Sequence, residues 1–540
     1  MLWTIISFLF CTSAVGVIVY LMTRRDNLSG SDEYFLGGRQ LTAWVIAGSL
    51  ILTNLSTEHL IGLNGDAFNH TVAVMAWETT AALAMVLTAL YFLPRYLKRG
   101  LTTIPQFLGE RFDNTTATIA TFLFLFSYVI AILPVVLLFG ASGLESLFSV
   151  SENLGIGRSG AMWVIIWLVG TIGSLYAIFG GLRAVALSDT INGVGFLAIG
   201  LLIPVLGLLA IGNGDIGAGL SELYTEEQPK FDITGDEPGS FLPFSVLFTG
   251  MVINQIFFWC ANQSIMQRAL GAKNLKEGQK GVLIAAGFKL LGPLIIVLPG
   301  VIAFHMFKNE LSPDQSMLAY PTLVKAVLPP ALQGLFAAVM VGAVLSTFNS
   351  VLNSSATLFS KNVYETLINK SATPKQIVRS GRICSIILAI GAMTIAPMID
   401  TSGSVYNYLQ TINATFFGPM LAVILAGYMT KWASAAAAKT GLIVGPILFY
   451  LLVFAYGDAV QSNLKSVLGL EHDIHFLHFL AAVFLVTLLI LWLVSKIAPA
   501  KTVYRAEHSN DVDLTPWRFA KPVSILIAII TIGTYIMLAQ

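Results

Sequence analysis

Charge is what this chain has least of. Asp, Glu, Lys and Arg make up only 11% of the 540 residues, against 56% hydrophobic. A water-soluble domain of this size cannot be built from such a balance, and the mean hydropathy of +0.78 leaves a polytopic membrane protein. Cysteine is nearly absent as well. Cys11, Cys260 and Cys384 lie far apart within apolar stretches, which excludes a disulfide framework or a thiolate metal site and makes them packed thiols. The seven histidines are scattered and neither HExxH nor GxSxG occurs, so an intramembrane enzyme finds no motif. With a net charge of +1, no nucleic-acid partner is expected. The largest cytoplasmic segment, 497–520, is too short for the signalling domain of a sensor, and no obligate protein partner is evident.

What the chain has in quantity is long apolar runs. The first, 2–23, has no basic leader and no cleavage site, so it reads as a retained helix. Hydropathy windows give about fourteen spans, an all-α chain embedded in a lipid bilayer. Placing the N-terminus outside puts all but six of the 30 basic residues on the cytoplasmic side; the exceptions are Arg158, Lys230, Lys308, Lys325, Lys465 and, within a span, Lys289. The positive-inside rule then predicts both termini outside. The outer loop 213–242, rich in Asp and Glu up to Asp236 and Glu237, reads as a solvated lid or surface helix.

The stretch 41–68 organises the rest. Its apolar helix is interrupted midway by Asn54, Leu55, Ser56, Thr57, Glu58 and His59. Backbone groups leaving a helix at that depth are costly unless they line a cavity or coordinate something. A discontinuous helix forming a site for an ion and a polar solute is one reading, and a polar kink satisfied by neighbours is the other. A second interruption, at Asn254, Gln255, Asn262, Gln263 and Ser264, falls in 243–268. Five spans over 41–212 and five over 243–429 would be inverted halves, flanked by peripheral segments 1–40 and 430–540, with 213–242 as the loop between them.

Ionisable groups at membrane depth usually face a bundle interior or a pathway. Glu58, His59, Glu78, Asp189 and Lys289 are these groups. Glu78 and Lys289 form either a structural ion pair or, with His59 and Gln255, a hydrogen-bonding rim for a hydroxylated solute. Phe257, Phe258 and Trp259 would supply the apolar face that a sugar ring needs. In 331–366, Ser346 and Thr347 follow Ala343 by one helical turn. These small residues suit close helix packing, and equally half of an oxygen cage for a monovalent cation, the carbonyls at 52–55 being the other half.

SLILTNLSTEHLIGL, YAIFGGLRAVALSDTINGV, NQIFFWCANQSIMQRALGAK and GAVLSTFNSVLNSSATLFS resemble the solute:sodium symporter family, in particular its bacterial sodium/galactose and sodium/glucose branch. The resemblance implies a LeuT-like inverted five-helix repeat and sodium-coupled import of a monosaccharide across a bacterial inner membrane. It implies sodium held at Leu52, Leu55, Ala343, Ser346 and Thr347, sugar held by His59, Glu78, Gln255, Lys289 and Gln410, a gate at Phe258 with Trp259 beside it, and an ion exit past Asp189. The gate residue is Phe258 where the family has tyrosine, and Ile132 replaces an asparagine sugar contact. A polyol or carboxylate solute, or coupling to protons through Glu58, His59 or Asp189, is the alternative.

Overall fold

The stretch 41–69 is two helices, not one. The computed structural model describes residues 2–24, 30–234, 240–500, 504, 509 and 512–538; the expected cytoplasmic Arg25, Lys501 and Arg505, with Asp236 and Glu237 of the outer loop, lie outside the described residues. The helix Ala43–Asn54 stops where Leu55 adopts φ −75°, ψ 71°. The chain resumes as a wide π-helical turn, Glu58–Leu63, and a short helix, Asn64–Asn69. The stretch 243–268 is likewise broken, into Gly250–Cys260 and Gln263–Leu270.

Among the described residues, ten helices are long and apolar enough to cross a membrane, or eleven when Leu275–Lys289 and Pro293–Phe307, bent by 41°, count as one. This falls short of the fourteen expected, for two reasons. The broken segments are each too short to qualify, and the expected spans 160–180 and 184–212 run together in Arg158–Ile211. At 1.5 Å per residue a straight helix of 54 residues would be about 80 Å long, far beyond a hydrocarbon core of about 30 Å. Gly181, at φ 63° and ψ −177°, interrupts it, and Tyr176 donates to the Ala184 carbonyl at 2.8 Å across the interruption. Only glycine adopts that backbone readily, so Gly181→Ala is expected to cost about 1–3 kcal/mol, measured as a lowered melting temperature in detergent.

Burial separates the centre from the rim. The most apolar window of Pro330–Ile368 is 89% buried, that of Leu2–Thr23 only 6%. The first is rich in Gly, Ala and Ser, which let neighbouring backbones approach closely. The second displays Trp3, Leu9 and Phe10 outward, as a helix at the lipid boundary does. Ala43–Asn54 is closely packed on two sides: a Cβ on Gly48 would lie 2.8 Å from Thr190 Cα, and one on Gly281 2.7 Å from Ile46.

The outer loop does contain the expected surface helix, Ile216–Glu226, but its end is fastened rather than solvated. Glu227 is buried against His305 Nδ1 at 3.0 Å and paired with Lys308. Lys230 donates to the Phe68 carbonyl at 2.6 Å, at the end of the broken first segment. Of the cysteines, Cys260 and Cys384 are buried as expected, whereas Cys11 is half-exposed.

Candidate solute and ion sites

The two breaks face one cavity of about 50 Å³, room for a few water-sized groups. From the first break come Thr53, Asn54, Glu58 and His59; from the second, Asn254, Gln255, Phe258 and Trp259; Ile132 and Gln410 close the remaining sides. Two groups of aromatic rings line the cavity. The Tyr406 ring lies 5.5 Å from His59 and 6.0 Å from Trp77, and Phe258 packs edge-on to Trp259 at 5.4 Å. Gln255 is oriented by its amide, which donates to the Trp77 carbonyl at 2.8 Å and to Thr80 at 3.2 Å.

Of the expected solute contacts, His59, Gln255 and Gln410 line the cavity, as do Phe258 and Trp259. Glu78 and Lys289 do not. They sit one layer behind, almost without exposure, with Lys289 Nζ 2.5 Å from Glu78 Oε2. His59 Nε2 reaches the other carboxylate oxygen at 3.2 Å, so His59 carries the pair's electrostatics to the cavity. Four polar atoms around the cavity have no hydrogen-bond partner: Asn54 Oδ1, Glu58 Oε2, His59 Nδ1 and Asn254 Oδ1. Unsatisfied polar groups are rare in protein interiors, and four converging on one cavity equip it for a polar ligand.

The second cluster adjoins the first. Thr347 Oγ1 donates to the Thr53 carbonyl at 2.8 Å, and Ser56 Oγ to the Ala343 carbonyl at 3.0 Å. Thr53 Oγ1 lies 3.3 Å from Ser346 Oγ and 3.2 Å from Ser350 Oγ. Oxygen atoms from the Leu55 break and the Ala343–Thr347 turn are thereby interleaved, with Leu52 and Leu55 fully buried between them. The donors are neutral hydroxyls and carbonyls, a set that suits a singly charged cation better than Ca²⁺. Asp189, 2% exposed, borders this cluster: it accepts from Ser49 Oγ at 2.5 Å, with the Ser346 and Thr53 hydroxyls also beside its carboxylate.

Residues 34–445 match the sodium:solute symporter family. The chain belongs to that family. As a symporter it is 41% identical to the "Uncharacterized symporter YidK" of Escherichia coli (strain K12), over 99% of this chain and 91% of that one. It is 29% identical to the sodium/glucose cotransporter of Vibrio parahaemolyticus, over 81% of this chain and 83% of the other. Its fold matches a Na⁺-coupled sialic acid symporter solved in a substrate-bound outward-open state, with a TM-score of 0.75 and 20% identity over 93% of this chain and 99% of that one. The symporter is thus a polytopic, LeuT-like, sodium-coupled carrier of a small solute and not an enzyme.

Thr53, Ser56 and Ser350 in the ion cluster were given no ion role by sequence, although Ser56 was read as part of the first interruption, and Tyr406 and Asn413 around the cavity were not singled out at all. The first two lie inside the interrupted stretch, one residue from expected carbonyl donors. Tyr406 carries no local signal; only the docking of Val405–Met429 against the first break brings its ring to His59.

Proposed function

We propose that this symporter imports a neutral, hydroxylated solute, a monosaccharide such as glucose or galactose, driven by sodium. The observation that carries this is the charge of the cavity wall. Glu58 and the amides of Asn54, Asn254, Gln255 and Gln410 present acceptors and neutral donors, Trp77, Phe258 and Trp259 offer a face for ring C–H groups, and the nearby Lys289 is neutralised by Glu78. A carboxylate solute would meet Glu58 with no unpaired cation beside it, whereas sugar hydroxyls would satisfy the orphaned oxygens. A cyclic polyol fits the same description.

In this reading sodium binds among the Leu52 and Leu55 carbonyls, the Ala343 carbonyl and the Ser346 and Thr347 hydroxyls, and joins the two helices that they belong to. The solute then bonds His59, Gln255 and Gln410, with Glu78 and Lys289 acting through His59 or directly once the cavity widens, and Phe258 and Trp259 cover it. The halves 41–212 and 243–429 rock about the site, and the ion leaves past Asp189 into the cytoplasm. The setting is a bacterial inner membrane with both termini outside. One sodium ion moving through 100 mV supplies about 2.3 kcal/mol, equivalent to a solute gradient of roughly fifty-fold.

The test is uptake of labelled glucose, galactose and myo-inositol into proteoliposomes under inward sodium, potassium or proton gradients. Sodium-specific accumulation of a sugar is expected, and Glu58→Gln should weaken half-saturation by about ten-fold, the replacement of a charged acceptor by a neutral amide. Accumulation of an organic acid in preference to all three would overturn the substrate class.

A further inference from the structure

Arg268 heads the fully buried side chains by volume, yet it does not touch the solute cavity. It stands on Gln263–Leu270, just past the second break. Its Nε donates to Ser49 Oγ at 2.8 Å, Nη1 to the Ser264 carbonyl and Nη2 to Ser350 Oγ, and Nη2 lies 3.8 Å from Asp189 Oδ2. Three other helices therefore meet at one guanidinium: Ala43–Asn54 through Ser49, Arg158–Ile211 through Asp189, and Pro330–Phe359 through Ser350.

Its position relative to the oxygen cluster is the informative part. Ser350 donates to the Ser346 carbonyl and lies 3.2 Å from Thr53 Oγ1. The guanidinium is thus one hydroxyl away from the groups assigned to sodium. On its other side Asn353 is 2% exposed, with neither amide atom partnered. Ser354 and Thr357 follow, both bonded to Gln267. Ser346, Ser350, Asn353 and Thr357 are spaced by four, three and four residues, which puts them on one helix face. A polar stripe therefore runs along the Pro330–Phe359 helix away from the ion cluster, and a fixed positive charge lies across it.

We propose that Arg268 is the gate on the sodium ion's exit. Its guanidinium blocks the stripe beyond the ion cluster, and sodium passes only when Arg268 leaves Ser350 and Asp189, freeing that carboxylate to receive the ion. The inference rests on the sodium site described above. Its physical content is an exchange of cations at Asp189: a tethered guanidinium repels a second cation at close range in a low-dielectric interior, and the ion that replaces it keeps that carboxylate from standing as a bare buried anion.

The experiment is sodium efflux from proteoliposomes containing the full-length protein, measured with labelled sodium and no solute. The double variant Arg268→Gln with Asp189→Asn removes both charges together. It should raise solute-independent sodium efflux by about ten-fold or more, because the electrostatic barrier is gone, while Arg268→Lys keeps the charge and should stay near wild type. Solute binding, read from the fluorescence of Trp77 and Trp259, should change by no more than about two-fold in both, since Arg268 lies outside the cavity. Should the double variant fail to fold, Ser49→Ala removes the hydroxyl that Arg268 Nε donates to without touching the ion cluster, and a raised leak is again expected. A leak at the wild-type level in whichever of these is measured overturns the gate, as does Arg268→Lys leaking as much as the double variant. Failure of the sodium site itself looks different: Thr347→Val would then leave the sodium dependence of uptake unchanged, whatever Arg268 does.

Discussion

Lys289→Ala is expected to abolish uptake and to destabilise the protein at the same time. Lys289 and Glu78 are both almost wholly buried and 2.5 Å apart. Removing the lysine leaves a carboxylate with only His59 Nε2, at 3.2 Å, to balance it. Breaking a buried pair from one side typically costs about 3–5 kcal/mol, which should appear as a large fall in melting temperature in detergent and a loss of uptake of about 100-fold or more. The two effects separate in the double variant Glu78→Gln with Lys289→Met, which leaves no unpaired charge. Its stability should return to near wild type, and its uptake should not, because the carboxylate beside His59 Nε2 is gone. Recovery of both would make the pair purely structural; unchanged uptake in Lys289→Ala would remove Lys289 from the solute site altogether.

Thr347→Val should act on the ion and spare the fold. Valine matches threonine in shape but cannot donate to the Thr53 carbonyl, a bond of 2.8 Å that joins the central helix to the first break. The variant also loses one of the oxygens assigned to sodium. A hydrogen bond to a charged group contributes about 2 kcal/mol, so the sodium concentration for half-maximal uptake should rise by about thirty-fold, with the maximal rate at saturating sodium changed much less. Ser355→Ala is the control. Ser355 bonds only back to the Val351 carbonyl of its own helix, at 2.7 Å, and its sodium dependence should match wild type. If both variants keep the wild-type value, the ion lies elsewhere.

Much of the solute site was legible from local pattern. Asn54, Glu58 and His59 stand out because polar residues at membrane depth break a hydrophobic period, and the same signal marks Asn254 and Gln255. Both interruptions are real breaks in the chain. The number of spans was less legible. Hydropathy placed a boundary between 180 and 184, and the structure does turn there, but through the backbone angles of one glycine, Gly181, and without a loop. The two broken segments were counted as spans, although no single helix within either is long enough to cross a membrane.

The sequence by itself determined that this is an all-helical membrane protein, which segments are apolar, where two helices break, and, through four motifs, the sodium:solute symporter family to which the chain belongs. Each of these depends on residues close together in the chain, within a window or a helical turn. The tertiary structure alone decided that Glu78 and Lys289 pair behind His59 instead of facing the cavity, that Tyr406 packs against His59 and Trp77, and that Arg268 lies across Asp189 and Ser350. Those relations join residues between 79 and 347 positions apart, and they exist only because close packing of small-residue helix faces brings distant segments to one point.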